Sequence, residues 1–193
     1  DSPDEGSIVV TTELSPIASP DFELGPPGVE ATEIARIVDR GIRESKAVDF
    51  KKLCITSGEK CWIFFIDIYP INDDGNLIDA SALGALAALK NTRFAKLENN
   101  KVVFGDFTDK KVELEKTPIT FTFVKIKNSI LLDPHTREEK AAGARLSVAV
   151  HNGKIHAMQK GGDKGFTESE IEMMIDIAIK KEKDLKKVIE KAK

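Results

Sequence analysis

A chain of 193 residues that is 41% hydrophobic and 32% charged can bury a core of useful size, which excludes a wholly disordered segment. Its 29 Lys and Arg stand against 32 Asp and Glu, a net charge of −3 that supplies no global basic footprint for nucleic acid or for anionic membrane, so any polyanion site must be local. Two cysteines, Cys54 and Cys61, are too few for a disulfide scaffold and lack zinc partners; lying in or beside apolar strand-like runs, they are expected to be reduced, buried and intracellular.

No apolar run reaches the roughly 18 residues that span a bilayer, and the acidic start, Asp1 to Glu5, has neither a basic n-region nor an apolar h-region. A soluble, cytoplasmic chain is expected. The first residue is not Met, and a strand-like run begins by Ser7 with no preceding element to pair it, so a fragment that opens partway into a domain is expected.

Ser7 to Thr12 is rich in β-branched residues and reads as a strand running on toward Leu14, before Pro16, Pro20 and the stiff Gly25-Pro26-Pro27-Gly28 loop forbid regular structure. Glu30 to Ser45 follows a helical period, ended by Lys46 to Asp49. At ~100° per residue, Ile34, Ala35, Ile37, Val38 and Ile42 form one face and Arg36, Arg40 and Arg43 the opposite one. Phe50 to Thr56 and Lys60 to Tyr69 read as strands joined at Ser57-Gly58, and the nearly continuous apolar run Cys61 to Ile68 as a central strand covered on both faces. A turn over Asn72 to Asn76 leads into a helix from Leu77 to Lys90, whose small residues let it lie close against a sheet.

The second half repeats the theme. Lys101 to Phe107, Lys111 to Lys116, Ile119 to Lys127, Ser129 to Leu132, Leu146 to Val150 and Lys154 to Gln159 read as strands, with Asn152-Gly153 marking a two-residue hairpin turn. After the Gly161 to Gly165 connection, Thr167 and Glu170 have capping-box spacing, and Ile171, Met174, Ile175, Ala178 and Ile179 give the last helix its apolar stripe. Strands followed by a helix, twice over, define an α+β chain of two related sheet-and-helix halves, about 1–95 and 96–193.

Chemistry has few anchors. Three guanidinium groups at i, i+4 and i+7 can grip successive phosphates of an extended strand, while a solvated face neutralised by Glu33, Asp39 and Glu44 would show the same spacing. The carboxylates Asp67, Asp73, Asp74, Asp79, Asp133, Glu138 and Glu139 are candidates for acid/base or metal work, the middle three equally suited to turns and caps, the last three placed in a late loop. His135, His151 and His156 lack metal-site spacing and read as loop, turn and strand positions. Gly161 to Gly165 lacks the spacing of a phosphate loop, neither cysteine sits in a nucleophile setting, and the lysines of 180–193 suit a solvated helix end.

Several segments in order carry a resemblance: Glu13 to Pro20, Phe22 to Pro27, Ile34 to Ser45, Gly75 to Ala82, and Ala157-Met-Gln-Lys160 before Gly161. Together they resemble the non-catalytic RNase PH-like subunit of the archaeal exosome, over essentially the whole chain. The resemblance implies an RNase PH-like domain of two pseudo-symmetric halves, here begun after the family's N-terminal helix and first strands. It implies a hexameric ring in which this subunit alternates with a catalytic RNase PH-like partner beneath RNA-binding cap subunits. Single-stranded RNA threads that ring toward phosphate-dependent 3′ to 5′ degradation and processing by the partner. It carries RNA-backbone contact onto Arg36 and Arg40, and less securely onto Arg43. Where active relatives have a Gly-Gly-Thr/Ser-Arg phosphate-binding turn, this chain has Gly75-Asn76-Leu77-Ile78; where they have two aspartates six residues apart, it has Glu139 and Arg145. No catalytic residue, metal ligand or cofactor is therefore expected. The alternatives are an active phosphorolytic exoribonuclease forming its own ring, which needs a phosphate site, and a stand-alone module binding through one helix face.

Overall fold

The computed structural model describes residues 2–99 and 101–191, so Asp1 of the acidic start and the last two residues of the basic C-terminal run lie outside it. β1 (Ser7–Thr12) leads through the proline-broken loop into α1 (Val29–Ser45). Burial along α1 follows the helical period, with Ile34, Ala35, Ile37, Val38 and Ile42 inside and Arg36 and Arg40 outside. Lys46 ends the helix in the left-handed region, its N–H returning to the Arg43 carbonyl and that of Ala47 to Ile42.

A 3₁₀ turn (Phe50–Leu53) and a small hairpin of β2 (Cys54–Thr56) and β3 (Lys60–Cys61) separate α1 from β4 (Ile63–Ile68), which pairs in parallel with β1, Ser7 opposite Ile63 and Thr12 opposite Ile68. Four expectations are corrected here. The strand expected from Phe50 begins only at Cys54, because the Asp49 carboxylate accepts the Lys51 N–H and winds the first residues into a turn. The strand expected over 60–69 breaks at Trp62, whose N–H goes to Leu53 and whose carbonyl accepts from Ser7. And β4 is covered on one face alone: Ile63 and Phe65 are 47% and 67% exposed, and among the described residues β1 is its one strand neighbour. Neither cysteine is buried: Cys61 is exposed and Cys54 half-buried.

α2 (Leu77–Asn91) buries Ser81, Ala82 and Ala85. β5 (Arg93–Glu98) and β6 (Lys101–Lys111) form an antiparallel hairpin that spans the 95/96 position. One strand thus replaces the first of the two segments expected over 101–116, and the second is not a strand, since beyond Lys111 the backbone is tied elsewhere: Val112 N–H to Thr92, Glu115 N–H to Ala47.

The larger sheet is antiparallel and four-stranded, in the order β10 (Lys154–Gly161), β9 (Ala144–His151), β7 (Ile119–Ile126), β8 (Ser129–Leu132). Asn152 and Gly153 both take positive φ in the β9–β10 turn, and the Glu182 carboxylate accepts both their N–H groups at 2.7 and 3.0 Å. Burial pushes the Glu182 carboxyl up, but those donors and Lys186 outweigh it and hold it below the usual carboxylate range. Where a loop was expected after Asp133, a short α3 (Thr136–Ala141) forms, capped by His135 and Glu138. α4 (Glu168–Lys191) opens on the expected box, Thr167 N–H to Glu170 and Glu170 N–H to the Thr167 hydroxyl.

β7 is buried on both faces by its alternation. Thr120 and Thr122 face α1 and α2, whereas Lys125, of opposite parity, reaches Glu170 of α4 at 2.6 Å. α1 and α2 therefore lie between the β1–β4 pair and the four-stranded sheet, with α4 on the far face of that sheet. One hydrophobic cluster runs from Ile8 through Phe123 to Ile189.

Candidate RNA-contacting face and phosphate-binding turn

α1 does not present its three arginines alike. Arg43 spends Nε and both Nη2 hydrogens internally: on the two Asp39 oxygens at 3.1 and 2.8 Å, and on the Ile8 carbonyl at 3.0 Å. Its guanidinium also lies 5.5 Å from the Phe50 ring centre. The Asp39 hydrogen bonds raise its already high pKa. Arg40 makes a long contact, 3.4 Å, to Gln159 on β10, and exposed Arg36 has no hydrogen-bond or ion-pair partner among the described residues. Of the carboxylates that could neutralise this face, Glu33 pairs with Arg145, Asp39 pairs with Arg43, and Glu44 adds its charge near Arg43. Arg36 and Arg40 border an open groove of about 410 Å³ between α1 and β1 that Thr11, Thr12 and Pro27 also line.

The turn before α2 meets α3 and the start of α1. Gly75 has φ of +94°, and a Cβ there would lie 2.5 Å from the Pro134 carbonyl oxygen, so this close approach of the 134–135 backbone requires glycine. Two backbone N–H groups just ahead of α2 go to the chain's own carboxylates: Gly75 N–H to Asp73 at 3.0 Å and Asn76 N–H to Glu139 at 3.1 Å. Desolvation, with help from Asp73 and Glu30, pushes the Glu139 carboxyl up against the Asn76 bond and the Arg145 charge. Desolvation and Asp73 likewise raise Glu30.

Glu139 thus does meet the Gly75-Asn76 turn, whereas Arg145 turns to Glu33 of α1. An incoming phosphate would face Glu30, Asp73 and Glu139 with no arginine on the turn itself, since Leu77 and Ile78 follow Asn76. Asp133 and Asp79 are drawn together on the Asn76 amide, at 2.7 and 3.0 Å, and Asp79 also accepts the Thr122 N–H and hydroxyl, tying α2 to β7. Burial pushes the Asp79 carboxyl up to about 6 despite these donors. Spacing alone did not reveal the Glu139 and Asp79 bonds. Of the remaining candidates, Asp67 accepts from Thr11 across the β1–β4 pair, His135 and Glu138 cap α3, and His151 accepts the Thr117 N–H.

A strand–helix–strand crossover and an antiparallel sheet with its helix, sharing α1 and α2, define an RNase PH-like fold. Residues 1–95 match domain 1 of the 3′ exoribonuclease family (RNase PH) and residues 116–181 match its domain 2, and the chain belongs to this family. It is 46% identical over 187 residues to the exosome complex component Rrp42 of Methanosarcina acetivorans, covering 96% of this chain and 68% of that protein. It is also 46% identical over 191 residues to Rrp42 of Methanocella arvoryzae, covering 98% and 72%. Among solved structures, it superposes on a chain of the Archaeoglobus fulgidus exosome with RNA bound to the active site, with TM-score 0.88, 40% identity and coverage of 97% and 72%. A chain of an archaeal exosome core gives 0.83 at 36% identity, covering 99% and 71%.

Proposed function

We propose that this chain is the non-catalytic, RNA-contacting subunit of a cytoplasmic archaeal-type exosome ring that supports phosphorolytic 3′ to 5′ degradation by a catalytic RNase PH-like partner. The observation that carries the proposal is the turn before α2, where Asp73 and Glu139 accept the Gly75 and Asn76 N–H groups and no arginine stands on the turn. Two occupied donors beside the acidic groups Glu30, Asp73 and Glu139 make a poor site for inorganic phosphate, which disfavours an active ring of this chain alone. Similarity to Rrp42 proteins and to exosome chains supports the ring assignment. Arg36 and Arg40, whose charges no carboxylate of the described residues engages, are the RNA-backbone contacts, and Arg43 is the group that fixes α1 against β1 beside them.

Incubating the isolated protein with single-stranded RNA and inorganic phosphate tests the inactive half of this reading. No nucleoside diphosphate should be released until the catalytic partner is added. Release by the isolated chain overturns it, and failure to co-assemble with the partner in native mass measurement overturns the ring assignment.

A further inference from the structure

Cys54 and Cys61 are directly opposed across the β2–β3 hairpin. Opposed residues of an antiparallel pair project from the same face of the ribbon. The Trp62 N–H donates to the Leu53 carbonyl at 2.8 Å, one position outside the cysteines on each strand. That bond makes Cys54 and Cys61 a non-hydrogen-bonded pair, the kind in which opposed Cα atoms approach to about 4.5 Å. A disulfide accepts Cα separations of about 4.4–6.8 Å, so the spacing of such a pair is compatible with a bridge, on the Leu53–Trp62 side of the irregularity that follows between Cys54 and Thr56. Both are free, Cys61 is exposed and Cys54 half-buried, so a small reagent reaches the pair from the Cys61 side.

We propose that Cys54 and Cys61 form a dithiol modification site that closes to an intramolecular disulfide by exchange with a small-molecule disulfide such as oxidised glutathione. The Cys61 thiolate attacks one sulfur of the reagent, forming a mixed disulfide and expelling one glutathione thiolate. The Cys54 thiolate then attacks the Cys61 sulfur and expels the second. Two protein thiols and one small disulfide yield one protein disulfide and two small thiols; the protons lost by the cysteines pass to the departing thiolates, and the reagent is the sole oxidant. The closed bridge fastens the hairpin between Leu53, which is buried, and Trp62, which anchors the start of β1.

The full chain, reduced and then treated with oxidised glutathione, is read by intact mass and by peptide mapping without reductant. The expected product is lighter than the reduced protein by two hydrogen atoms, links the Cys54 and Cys61 peptides within one molecule, and reopens with dithiothreitol. The Cys54→Ser variant, lacking the second thiol, should stop at a stable glutathione adduct on Cys61. A wild-type protein that stays reduced, that keeps glutathione, or that links only between molecules overturns the site. A Cys54→Ser protein that takes up no glutathione overturns Cys61 as the attacking thiol.

Discussion

The Glu139 carboxylate accepts the Asn76 backbone N–H at 3.1 Å, bringing residues 63 positions apart together at the N-cap of α2. A helix N-terminus favours an anion, and here the anion is internal and permanently supplied. Replacing it by Glu139→Gln keeps the shape but weakens a charge-assisted bond. Thermal stability should fall by the equivalent of about 1 kcal/mol. Phosphorolysis by the isolated chain should remain absent, because Leu77 and Ile78 still offer no guanidinium. Thermal unfolding and a nucleoside diphosphate assay check both.

Arg36→Ala with Arg40→Ala should weaken RNA binding by the assembled ring and flatten its salt dependence. Removing two phosphate contacts to a single strand lowers the slope of log affinity against log salt by about 1.4 for each copy engaged. Titration of RNA at several salt concentrations measures it, and an unchanged slope removes both residues from the RNA path.

Arg43→Ala should behave in the opposite way. It loses the Asp39 chelate, the Ile8 carbonyl bond and the contact with Phe50, so stability should drop by about 1–2 kcal/mol while the salt slope keeps its wild-type value. Denaturant unfolding beside the same RNA titration separates the two effects.

Asp79 gives the fold a pH dependence of definite sign. Its folded pKa is raised from 3.8 to about 6, so the folded state holds a proton that the unfolded state has released between those values. Its contribution to stability is therefore greatest below about pH 4, declines as pH rises toward 6 and is flat above. The amplitude is of order 1–3 kcal/mol, toward the lower end because the residue borders an open groove of about 610 Å³. Asp79→Asn should remove this component from a stability profile measured between pH 4 and 8, while costing stability overall, since its amide donors confront those of Asn76 and Thr122.

Periodicity was enough for α1, α2 and α4, and the Thr167-Glu170 box and the Asn152-Gly153 turn fell where local chemistry placed them. The arginine face was legible as a face but not as three different residues. Arg43 is distinguished by a carbonyl 35 positions earlier, which helical spacing does not encode. The run Cys61 to Ile68 misled because continuous apolar character cannot tell a strand covered twice from one that leaves Ile63 and Phe65 to solvent. Glu139 stood among the candidate carboxylates, the resemblance set it against the Gly75-Asn76 turn, and the structure was needed to show its bond to Asn76.

Because α1 and α2 are sandwiched between the β1–β4 pair and the larger sheet, neither family domain owns a private interior. Melting one half strips the lining from the other. The two family domains should thus unfold as a single thermodynamic species, and a chain cut between them would yield two pieces that each expose half of the same greasy seam.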